Sequence, residues 1–99
     1  MKVAISPGAE GDLTGIGDWI ALESPLRAVT FIRELRERCS RLGNMPNAYP
    51  LVRRHEAAGI RRYAFRDYLI FYRVTSEQIE VLHIVHGARD LDALLFPED

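Results

Sequence analysis

Two apolar runs near the C-terminus constrain this chain more than any other feature: YLIFYRV from Tyr68 to Val74, and IEVLHIVHGARD from Ile79 to Asp90. Only Thr75, Ser76, Glu77 and Gln78 separate them. Runs of β-branched and aromatic residues flanking a short polar step form an antiparallel hairpin. A third run, IRRYAF from Ile60 to Phe65, precedes the first across the two-residue step Arg66, Asp67, so three strands make one meander. In the last run Val81, His83 and Val85 alternate with Leu82, Ile84 and His86, and both sets are largely apolar. A strand apolar on both faces belongs inside a sheet, so this one is expected at a central position with its hairpin partners beside it.

Ahead of the meander the apolar period changes to that of helices. KVAI at Lys2 to Ile5 is a short apolar run able to add a strand, and Ser6 followed by Pro7 has the form of a helix cap with proline at the first helical position. Ala9, Leu13, Ile16 and Ile20 then fall on one helical stripe. Gly11, Gly15 and Gly17 weaken that helix by roughly 1 kcal/mol each relative to alanine, so packing must hold it; close helix approach is the expected use of Gly15 and Gly17. Ser24 and Pro25 repeat the cap, and Ala28, Phe31, Ile32, Leu35, Cys39 and Leu42 mark the buried stripe of a longer helix stopped by Gly43 and Pro46. Asn44 to Gly59 is the long connection, and LDALL at Leu91 to Leu95 closes the chain as a short amphipathic helix. The expected fold is therefore α+β and a single domain over 1–99. It has an N-terminal helical hairpin packed on one face of a small antiparallel sheet, a short C-terminal helix, and the other sheet face open to a partner.

A chain of 99 residues with 47% hydrophobic content suffices for one small core. No window approaches the roughly 18 consecutive apolar residues of a membrane span, and MKVAISPGAE lacks the apolar segment of a signal peptide, so a cytoplasmic location without membrane association is expected. The single cysteine, Cys39, excludes an intramolecular disulfide and fits a reducing compartment. A net charge of −1 gives no general attraction to nucleic acid. The distribution is less even: residues 1–26 carry −3 and residues 74–99 carry −5, leaving a basic middle. Apart from Lys2 every basic residue is arginine, whose fork suits carboxylate and phosphate, so an acidic partner competes with local ion pairing as its use.

Catalytic patterns are sparse. His83 and His86, three apart on a strand, point to opposite faces and do not suit one metal, and no metal site is expected. Ser6 and Ser24 serve as caps, Ser40 lies on a helix and Ser76 in a turn, none with a base in context. Asp90 and Asp92 after Arg89 suit the positive end of the closing helix better than acid–base work, and Asp12 and Asp18 lie on the first helix without reason to converge. Tyr63, Phe65, Tyr68, Phe71 and Tyr72 among Arg61, Arg62, Arg66 and Arg73 could stack bases, but sheet core is the simpler use. Arg61, Arg73 and Arg89 remain as charges on or beside apolar strands, which border a site or pair with Asp67 or Asp90.

Ala9, Asp12, Leu13, Ile16, Trp19 and Ile20, then Phe31, Leu35, Leu42 and Pro46, and above all Ile60, Arg61, the YLIFYRV block and Val81 through Asp90 resemble the ParE/RelE superfamily of type II toxin–antitoxin toxins. The resemblance covers nearly the whole chain, and the paired blocks resemble the ParE branch. It implies a helical hairpin against an antiparallel sheet and no cofactor. RelE-like members are ribosome-dependent mRNA endonucleases, but Leu69 stands where that branch has a strand arginine and Leu95 where it often has a tyrosine; only Arg89 matches. Without groups to move protons and stabilise phosphorane charge, cleavage lacks its chemistry. Such chains also commonly carry glycine in the turn before the YLIFYRV-type strand, where this one has Arg66, Asp67.

The expected function is thus a non-enzymatic ParE-like toxin acting on DNA gyrase and neutralised by a ParD-like antitoxin, with DNA contacted only through these partners. The alternatives are a RelE-like endonuclease and a non-toxic antitoxin-binding remnant. By this resemblance Trp19, Ile20, Phe31, Leu35, Arg61, Arg62 and Arg73 are candidates for antitoxin contact, and Arg66 and Arg89 for target contact.

Overall fold

Ser6 is the hinge on which the N-terminal half is built. Its hydroxyl oxygen accepts from the Ala9 amide at 3.1 Å and donates to the Leu82 carbonyl at 3.0 Å, while its own amide donates to Val81 at 3.0 Å. One residue therefore caps a helix and fastens it to the sheet. The computed structural model describes residues 1–87. They run as strand β1 (Lys2–Ile5), helix α1 (Pro7–Ala21), helix α2 (Pro25–Arg41) and strands β2 (Ile60–Phe65), β3 (Tyr68–Val74) and β4 (Gln78–His86). The expected LDALL helix and Arg89 lie outside the described residues.

The strand order is β1-β4-β3-β2. The predicted meander is present, with Phe65 opposite Tyr68 and Tyr68 opposite His86. β1 joins β4 in parallel, Lys2 against Gln78 and Ile5 against Val81, so the four-stranded sheet is mixed rather than wholly antiparallel. The cause lies in the connection: the helical hairpin and the whole β2–β3 unit intervene between β1 and β4, which allows a parallel return. β4 is central, as its apolar faces require.

Opposite Phe71 and Tyr72 the β3–β4 register shifts: Tyr72 pairs with Val81 and Phe71 with His83, leaving Leu82 as an extra residue. The helix-facing set on β4 accordingly runs Ile79, Val81 and then Ile84, all in the main core with Leu13, Leu35, Leu42, Ile70 and Tyr72. Full burial of each such aliphatic side chain contributes about 1.5–3 kcal/mol. Tyr72 resolves its polar end by donating to the Pro46 carbonyl at 3.1 Å.

α2 begins at Ser24, whose oxygen accepts from the Arg27 amide at 3.2 Å, and it continues into a tight turn at Leu42–Asn44. Gly43 is there because a β-carbon would collide with the Met1 carbonyl; the N-terminal ammonium in turn donates to the Gly43 carbonyl at 2.9 Å. Gly17 meets Ile32 of α2 as close packing predicts, whereas Gly15 faces open space and has no packing role among the described residues.

Two further expectations change. The 44–59 connection is not merely a loop: the Val52 amide donates to Ile60 at 2.7 Å and the Arg62 amide to Pro50 at 3.1 Å, so it shields the outer edge of β2. The sheet face opposite the helices is also not open at its centre. Ile60, Phe71 and Val85 are buried there with Val52, Leu69 and Leu82 around them, because β2, β3 and β4 carry apolar residues on both faces.

Candidate functional site

Where the α1–α2 connection approaches the β2–β3 turn, the structure leaves a cleft of about 580 Å³ lined by Trp19, Ile20, Arg27, Phe31, Tyr68 and His86 and also by Glu23, Ser24, Arg66 and Asp67. Two helix termini meeting at a tight connection cannot cover the end of the sheet, which accounts for the opening. Trp19 is 71% exposed. Phe31 lies 5.6 Å from the Tyr68 ring and 6.2 Å from Phe65, and Tyr68 meets His86 edge-on at 5.7 Å. Burial, and secondarily the Asp67 charge, pushes the Tyr68 phenol above its ordinary pKa, so it stays a donor at neutral pH. Arg66 spans the turn with φ 54°, the left-handed region that explains why glycine suits this step. Its guanidinium donates to Glu34 at 3.1 Å and lies 5.3 Å above Phe65.

The strand arginines separate from this cleft. Arg61 donates to the Tyr49 carbonyl at 2.6 Å and more weakly to Asn47 at 3.5 Å, tying the 44–59 segment to β2. Arg73 donates to Glu80 at 2.7 Å. Both are engaged internally, and neither uses the expected partner Asp67. Arg62 is exposed and forms no ion pair among the described residues. Leu35, expected at a binding surface, is 0% exposed: it lies one turn beyond Phe31 on the α2 stripe, under the sheet, and cannot be a surface contact. Trp19, Ile20, Phe31 and Arg66 are thus brought together, while Arg61, Arg62 and Arg73 lie on the sheet away from them.

A profile of the family described as ParE toxin of type II toxin-antitoxin system, parDE, matches residues 3–91. This chain belongs to the ParE toxin family. The fold agrees: a structure described as the chromosomal ParDE TA system from P. aeruginosa superposes with a TM-score of 0.73 at 24% identity, covering 87% of this chain and 95% of that one. No curated protein sequence matches the chain.

In this ParE-family chain two contacts escaped the sequence. Asp12 reaches from α1 to β4, where one carboxylate oxygen accepts from the Ile84 amide at 2.9 Å and lies 3.0 Å from His83 Nδ1. β1 pairs only as far as Val81, so β4 has a free edge beyond it, and Asp12 satisfies that edge. Tyr68 and His86 face one another across the register, a pairing that only the exact strand alignment reveals. Among the described residues no group of three or more His, Cys, Asp or Glu could hold a metal ion, and no helix is long and apolar enough to cross a membrane.

Proposed function

We propose that this ParE-family toxin inhibits DNA gyrase by binding rather than by catalysis, and that a ParD-like antitoxin neutralises it. The family match over residues 3–91 carries the reading. The sheet supports it: Leu69, at the position where nuclease relatives place an arginine, packs beside Phe71 and Val85 and offers no charge or transferable proton for RNA cleavage. An amphipathic antitoxin segment finds its apolar contacts on the helical hairpin, where Trp19, Leu22 and Leu26 are 71%, 79% and 78% exposed, with half-buried Ile20 and Phe31 beside them. Arg62, which has no ion pair among the described residues, supplies a charge for the antitoxin; Arg61 and Arg73 act through the shape of the strands they brace. Arg66 remains the target-facing candidate within the described residues.

Co-expression with the product of a small gene immediately upstream tests the antitoxin half. Growth arrest on toxin induction should be relieved, and the two chains should co-purify. Trp19→Ala combined with Leu22→Ala should weaken the complex about ten-fold or more, as loss of apolar anchors does. Unchanged affinity in that variant would place the antitoxin elsewhere.

A further inference from the structure

We propose that the cleft between the α1–α2 connection and the β2–β3 turn binds a guanine nucleotide, the base stacking among Trp19, Tyr68 and His86 and the phosphate meeting Arg27. Its volume of about 580 Å³ falls inside the roughly 300–1,000 Å³ range of small-molecule sites. Most aromatic residues of the sheet are buried in the core, but here four rings, those of Trp19, Phe31, Tyr68 and His86, line open space, and Trp19 is 71% exposed with no ring partner among the described residues. An aromatic floor with an arginine beside it is the arrangement that stacks bases and pairs with phosphate. Arg27 makes no ion pair among the described residues, unlike Arg36, Arg41, Arg66 and Arg73. The carboxylates of Glu23 and Asp67, which also line the cleft, are likewise without an ion pair among the described residues. A carboxylate accepts from the adjacent N1–H and amino group of guanine, whereas adenine presents an acceptor at N1, so either one of these acids facing the base selects guanine. The cleft lies on the helix side of β3, away from Leu69, and the assignment does not depend on the gyrase reading.

Trp19 is the only tryptophan of the chain, so its emission reports on the site directly. The full-length protein would be titrated with GMP, AMP, ribose 5-phosphate and a short guanine-containing single-stranded DNA. GMP should quench saturably, AMP about five-fold more weakly or less, and ribose 5-phosphate not at all. Arg27→Ala and His86→Ala should each weaken GMP about five-fold or more while leaving the thermal melt in place. Tighter binding of the oligonucleotide identifies a nucleic-acid strand as the source of the base, and equal or weaker binding identifies the free nucleotide. Absence of quenching by both GMP and the oligonucleotide at millimolar concentration overturns the proposal. So does equal quenching by ribose 5-phosphate, or GMP affinity that neither substitution changes.

Discussion

Asp12 shows how one side chain decides where a helix sits. Its carboxylate closes the free edge of β4 at Ile84 and takes the His83 ring at the same oxygen. Asp12→Ala leaves a part-buried amide without its partner and should lower unfolding stability by about 1–3 kcal/mol in urea titrations, while Asp12→Asn should fall between it and the parent. Leu35→Ala should cost about 2–5 kcal/mol by opening a cavity under the sheet, the behaviour of a core residue rather than a contact residue. Burial pushes the Cys39 thiol up to about 11 from an ordinary value near 9. The unfolded thiol therefore ionises first. Cys39 contributes stability that is complete below pH 9 and is lost as pH rises toward 11, and the native thiol should resist alkylation at pH 8 until denaturant is added. Helical spacing put both Phe31 and Leu35 on the inner stripe of α2, but spacing carries no depth. Depth depends on where the sheet ends, and the sheet covers Leu35 while Phe31 stands at its margin.

At the scale of elements, local signals held wherever they were chemically specific. Ser6 with Pro7 and Ser24 with Pro25 start both helices, and the apolar runs at 60–65, 68–74 and 79–86 fall within the three meander strands. What stayed hidden depends on residues remote in sequence. The β3–β4 irregularity changes which β4 residues face the helices, and the parallel pairing of β1 depends on its meeting β4 across the whole chain. Gly43 belongs to the same class, since it reads as a helix stop but is required by the Met1 carbonyl against it. Gly43→Ala should therefore destabilise by about 1–3 kcal/mol, and hydrogen exchange should localise the effect to β1 amides at Val3 and Ala4. A stability change without altered β1 protection would mean that the glycine acts only on the helix end.

The whole molecule resolves its arginine-rich middle into two kinds of charge. Arg36, Arg61, Arg66 and Arg73 brace elements against one another and Arg41 pairs with Glu37 within α2, while Arg27 and Arg62 form no ion pair among the described residues. That division explains why composition alone pointed to an acidic partner without locating its contacts. With a net charge of −1 and a helical hairpin that exposes Trp19, Leu22 and Leu26, the molecule offers apolar surface to a protein partner. The most direct measurement is a DNA supercoiling and cleavage assay with purified gyrase and the full-length toxin. The account predicts that supercoiling falls and cleaved DNA accumulates with toxin, and that prior addition of the antitoxin restores both. Gyrase that stays fully active while the same preparation cuts ribosome-bound mRNA would contradict it.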